Sequence, residues 1–117
     1  MTTVFADSFF FFALNNSRDS RHRKAMDFVG CYTGRIWTTS QVLTELGDGM
    51  CHPDNRDSFL LTVKSLRENP NVIVEPSTDG LHDAGLELFA KRMDKHWSLT
   101  NCLSFVVTER GRAPTKL

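Results

Sequence analysis

Val4-Phe5-Ala6-Asp7-Ser8, followed directly by Phe9 to Leu14, sets a short apolar run against a carboxylate and then a second apolar run. Three apolar residues that stop at Asp7-Ser8 read as a buried strand whose last step delivers an acid. Ser8 or Asp7 then caps a helix over Phe9 to Leu14, which ends at the turn-forming cluster Asn15-Asn16-Ser17.

Downstream, the same strand-then-helix unit recurs. A second helix is predicted from Asp19 to about Val29, with Ala25, Phe28 and Val29 inward, Gly30 just past its end, and a basic outer face built from Arg18, Arg21, His22, Arg23 and Lys24. Ile36-Trp37-Thr38 is a second β-rich run, after which Thr39 or Ser40 caps a helix carrying Val42, Leu43, Glu45 and Leu46 and ended by Gly47 and Gly49. His52 to Asn55 is a turn and helix start. Phe59, Leu60, Val63 and Leu66 follow at helical spacing, Asn69-Pro70 closes that element, and Val72 to Val74 is a third strand. From Asp79, the residues Leu81, Ala84, Gly85, Leu88 and Phe89 keep the period of an amphipathic helix. A link through Asp94 and Trp97 leads to a last helix opened by Ser98-Leu99-Thr100 and ended at Gly111, beyond which Arg112 to Leu117 reads as a frayed tail.

Parallel neighbours need crossover connections, so strands separated by helices predict an α/β fold: a three-layer sandwich with a central parallel sheet between helices. With 117 residues, residues 1–117 are expected to form one domain. Reactive groups in such sheets gather beyond the carboxyl ends of the strands, where Asp7 and the helix bearing Glu45 fall. Apolar residues are 40% and charged residues 24%, the proportions of a folded soluble domain, and Lys plus Arg equal Asp plus Glu at 14 each, so any attraction to nucleic acid has to be local. Cys31, Cys51 and Cys102 form no C-x-x-C pair and read as reduced thiols of a cytoplasmic protein. The run from Phe9 to Leu14 is far short of the roughly 20 residues of a membrane span, and no basic region or small-residue cleavage site makes it a signal peptide.

Three separated motifs, in order, resemble those of PIN-domain ribonucleases. Val4 to Phe9 followed by Ala13-Leu14 is similar to the family's opening strand, first metal-binding aspartate and first helix. Thr38-Thr39-Ser40-Gln41-Val42-Leu43-Thr44-Glu45 is similar to the segment that presents the family's glutamate. Asp94 to Phe105, with Ser98-Leu99-Thr100-Asn101 at its centre, resembles the motif that introduces the next aspartate. The match runs from Val4 to Gly111 and departs from the family at Asn101, where aspartate is expected. It departs again at the C-terminus, where family members continue through a strand with a late acid, a helix and a final strand.

The resemblance implies a Mg²⁺- or Mn²⁺-dependent endoribonuclease of the VapC type, the toxin of a toxin–antitoxin pair, with Asp7, Glu45, Asp94 and Asn101 as the site. Hard cations take oxygen ligands, which carboxylates supply together with charge. Asn101 keeps one ligand oxygen and loses that charge, and Asp94, seven residues earlier, compensates if the link folds back. RNA is the implied substrate. An antitoxin presenting an arginine to Asp7 and Glu45 is the implied partner, since a guanidinium pairs with carboxylates in bidentate fashion. The missing strand would lie beside the first, so the edge at Val4 to Ala6 is expected to be covered by homodimerisation or by the tail. The other function compatible with the lost acid is a catalytically inactive module that binds RNA or protein.

Each site residue also has an ordinary structural reading. Asp7 suits a helix N-cap, Glu45 a solvated helix position, Asp94 a helix end, and Asn101 the first turn of the last helix. The basic stretch suits either RNA phosphates or a solvated face, and of the four consecutive phenylalanines most are expected in the core.

Overall fold

A computed structural model describes residues 2–111 and 115–116 of the chain. The elements follow the order β1 (Thr3–Phe5), α1 (Ser8–Asn15), α2 (His22–Cys31), β2 (Arg35–Thr39), α3 (Ser40–Gly49), α4 (Pro53–Glu68), β3 (Val72–Glu75), α5 (Asp79–Lys91), α6 (Leu99–Gly111) and β4 (Thr115–Lys116). The strands form one parallel sheet in the order β3-β2-β1-β4, with Phe5 opposite Trp37 and Trp37 opposite Ile73.

That order fixes the layers. The steps from β1 to β2 and from β2 to β3 run in one direction across the sheet, and the return from β3 to β4 runs in the other. Right-handed crossovers therefore place α1 to α4 on one face and α5 with α6 on the other. The packing agrees: α1 touches α2 and α3, α3 touches α4, and the largest helix–helix contact is between α5 and α6. The reversal beside β1 makes its carboxyl end the switch point of the sheet, and Asp7 follows immediately.

Phe5, Phe11, Val42 and Leu46 are almost wholly buried in one core cluster that also takes in Leu81, Leu103 and Val107 from the opposite layer. The phenylalanine run splits as helical geometry requires. Phe10 and Phe11 are buried, Phe12 packs at the margin, and Phe9 stands 59% exposed. In α4 the inward stripe is Phe59, Thr62, Val63 and Leu66, so Leu60, expected inside, faces solvent at 60% exposure. Phe89, expected on the inner face of α5, and Val29, expected inward on α2, are each 48% exposed, because each lies one position beyond the stripe that its helix buries. Helix α2 begins three residues later than predicted, because the Asp19 carboxylate accepts the Arg21 N–H at 2.8 Å and closes a turn before the helix starts. Helix α3 carries on through Gly47 to Gly49, held by packing of its Val42, Leu43 and Leu46 face.

The tail departs from the frayed segment expected of it. Thr115 and Lys116 pair in parallel with Val4 and Phe5, so the chain's own tail covers this side of β1. The remaining tail residues, 112–114 and 117, lie outside the described ones.

Gly85 of α5 sits close against Leu103 of α6. A Cβ built there would lie 2.5 Å from Leu103 Cδ2 and 3.0 Å from its Cγ, and Leu103 is only 2% exposed, with no room to retreat. Gly85→Ala should therefore destabilise the protein by about 1–3 kcal/mol through overpacking, partly offset by the roughly 1 kcal/mol that alanine contributes to a helix. Chemical denaturation checks this, and a stabilised variant would mean that the two helices can separate freely.

Candidate functional site

The carboxyl ends of β1 and β2 are locked together before either delivers an acid. The Ala6 N–H donates to the Trp37 carbonyl at 2.9 Å, and the buried Thr38 hydroxyl donates back to the Ala6 carbonyl at 2.8 Å. Asp7 comes next, in extended backbone, with its carboxylate accepting the Phe10 N–H at 3.3 Å as the N-cap of α1. The structural reading of Asp7 is thus present, and it leaves the carboxylate half-buried at the switch point of the sheet. A helix N-terminus favours this charge through its unpaired N–H groups.

Two steps beyond the Phe5–Trp37 pair on β2, Thr39 occupies the equivalent place. Its hydroxyl accepts the Val42 N–H at 3.0 Å and starts α3, resolving the choice between Thr39 and Ser40. One turn on, Glu45 sits half-buried between the core residues Val42 and Leu46. Its Oε1 accepts a hydrogen bond from the hydroxyl of Ser8, the residue after Asp7. Ser8 is 5% exposed. This tie ends in a protein acceptor and fixes the Glu45 carboxylate against the first turn of α1. The sequence offered Ser8 only as a possible cap; its partner is 37 residues away and carries no local signal.

Asn101 lies in the first turn of α6, whose start is capped by Ser98: the Ser98 Oγ accepts the Asn101 N–H at 3.0 Å. Helix α6, which bears Asn101, packs against β2 and against α3, which bears Glu45. The neighbouring Cys102 is buried, and burial pushes its thiol pKa up, so it is a packed, protonated side chain rather than a nucleophile.

Asp94 is placed differently from the expectation that it lines the cleft. It is exposed, and its two oxygens take the Nε and Nη2 of Arg92, each at 3.1 Å. That hydrogen bonding to Arg92 holds the Asp94 carboxyl below its ordinary pKa. The Arg92 guanidinium also stacks over Trp97 at 5.0 Å, and Trp97 packs on Phe105 at 4.6 Å. Asp94 is thus tied to the arginine two residues before it, in the link into α6. Among the described residues no three His, Cys, Asp or Glu side chains gather where they could hold a metal ion. Asp94→Ala should leave divalent-cation affinity within about twofold of the parent, as for an exposed ion pair outside a site. Titration calorimetry with Mn²⁺ reads this, and a large loss would return Asp94 to the site.

Asp7 also lines a cleft of about 480 Å³ between α1 and α2, with Phe9, Phe10, Arg21, Lys24 and Phe28 around it. Of the basic stretch, Arg21 and Lys24 face this cleft. The donor set at the acid site suits a hard cation: Mg²⁺ commonly uses one or two carboxylates and completes its shell with water and substrate phosphate.

No family model matches the chain, and no curated protein matches it. Among solved structures it is similar to VapC20 of Mycobacterium tuberculosis, a toxin that cleaves the sarcin–ricin loop, with a TM-score of 0.85 and 22% identity over 97% of this chain and 86% of that one. The likeness establishes the fold as the PIN-type α/β arrangement. No helix among the described residues is long and apolar enough to cross a membrane.

Proposed function

We propose that this chain, having the fold of a PIN-type toxin, is a metal-dependent endoribonuclease in which Asp7 and Glu45 hold Mg²⁺ or Mn²⁺, with the Asn101 amide oxygen as a neutral third donor. The observation that carries the reading is the tie from the buried Ser8 hydroxyl, which holds the Glu45 carboxylate against the residue that follows Asp7. A divalent ion held there lowers the pKa of a water and neutralises phosphate charge. The residues' own contribution is to present two preset carboxylates at the end of a rigid sheet, so that little ordering remains when RNA arrives.

By analogy with the structural neighbour, the substrate is a structured ribosomal RNA hairpin of the sarcin–ricin type, and the site of action is the cytoplasm. An antitoxin would insert an arginine between Asp7 and Glu45, whose charge and half-buried setting suit a guanidinium.

The test is cleavage of a labelled sarcin–ricin hairpin by purified protein with Mg²⁺ or Mn²⁺, beside a chelated sample. Cut RNA only with metal supports the nuclease. The second reading, an inactive module that binds RNA or protein, is favoured by Asn101 and by the absence of a three-acid cluster among the described residues. RNA binding that survives chelation without any cleavage would select it.

A further inference from the structure

Phe9 is a large aromatic side chain left 59% exposed one residue after the buried Ser8, on the helix that Asp7 caps. Its ring borders the same cleft as Asp7, Arg21 and Lys24. The Arg21 guanidinium lies over the ring, 5.5 Å from its centroid. Its Nε also contacts Asp19 Oδ1 at 3.3 Å, which steadies the side chain in that pose. Among the described residues no acid pairs with Lys24. A flat apolar ring, a guanidinium stacked on it and an ammonium alongside make up the donor set that single-stranded nucleic acid uses: a face for a base and charges for its phosphates.

We propose that Phe9, Arg21 and Lys24 form a nucleotide subsite beside Asp7, in which an unpaired RNA base stacks on Phe9 and the adjoining phosphates lie against Arg21 and Lys24. The inference rests on the nuclease reading for its biological sense, but the recognition chemistry is separate from the metal site. An exposed phenylalanine in a cleft also suits a protein partner. What favours RNA is the company it keeps, since the Arg21 guanidinium lies over the ring and Lys24 lines the same cleft. The subsite orients the strand, so its residues position RNA and take no part in bond breaking.

The experiment measures binding of a fluorescein-labelled, 2′-O-methylated oligouridylate by anisotropy in the presence of chelator, where no cleavage occurs. Phe9→Ala should weaken binding about tenfold, the usual loss when one base loses its aromatic platform, and Phe9→Tyr should restore it. Lys24→Ala should weaken binding modestly and lower the slope of log affinity against log salt by about one. Circular dichroism melts confirm that each variant is folded. Equal binding by the parent and Phe9→Ala, or no binding by the parent, would overturn the subsite and leave Phe9 to a protein contact. Because the assay needs no metal, a parent that cuts nothing yet shows the Phe9 effect keeps the subsite and rejects the nuclease, whereas metal-dependent cleavage with unchanged Phe9→Ala binding does the reverse.

Discussion

Asp7→Asn is expected to fold like the parent and to lose metal-dependent RNA cleavage by on the order of a hundredfold or more. Asparagine caps a helix about as well as aspartate, so the bond from the Phe10 N–H survives, while α1 gives up the charge at its positive end, about 0.3–1 kcal/mol. The same exchange takes a full charge from the cation. At 4 Å and an effective dielectric near 20, that charge is worth up to about 4 kcal/mol, two or more decades in affinity even after partial screening. The isosteric change therefore separates the two roles of Asp7, which Asp7→Ala would confound by also removing the cap. Thermal denaturation, Mn²⁺ titration and hairpin cleavage run on one preparation decide the matter. A folded Asp7→Asn protein that cuts at the parental rate would reduce Asp7 to a capping residue.

Asn101→Asp is expected to do the opposite and tighten Mn²⁺ by tenfold or more, with cleavage rising in step. The position is in the first turn of α6, where unpaired backbone N–H groups favour a carboxylate, so the variant should be as stable as the parent or slightly more so. Asn101 is half-buried, on a helix that packs against α3, which bears Glu45, so the variant tests whether the new charge strengthens a metal site there. Silence in the parent with activity in Asn101→Asp would mean that one charge disarms an intact fold. Unchanged Mn²⁺ affinity in a folded variant would place residue 101 outside the site, and silence in both proteins would turn the balance to the binding module.

The fold was legible because its determinants are local. Apolar runs at Val4 to Ala6, Ile36 to Thr38 and Val72 to Val74, separated by segments with helical period and polar caps, leave a parallel sheet as the arrangement that buries them, and the structure builds that sheet. Asp7 at the end of β1 and Glu45 on the helix after β2 followed from the same pattern, since an acid that terminates a buried strand has to emerge at the sheet's edge. Misplaced boundaries arose where a side chain overrode the pattern, as Asp19 does before α2. Leu60 and Phe89 were put inside because period alone gives a stripe, and which flank of it meets a neighbour depends on the angle at which helices pack.

What depended on distant residues was beyond the sequence. Ser8 reaches Glu45, Thr38 reaches Ala6, and Arg21 reaches Phe9 only after the sheet brings them together. Asp94 illustrates the limit most sharply: its motif position pointed into the cleft, but an arginine two residues away captured both oxygens. The sequence by itself determined the succession of strands and helices, the acid that follows β1 and the acid on the helix after β2, because those are set by short-range period and capping. Only the tertiary structure decided that Ser8 meets Glu45, which aromatic ring is left to solvent and that Thr115–Lys116 covers β1, because hydrogen bonds and exposure between remote segments are fixed by how the layers close.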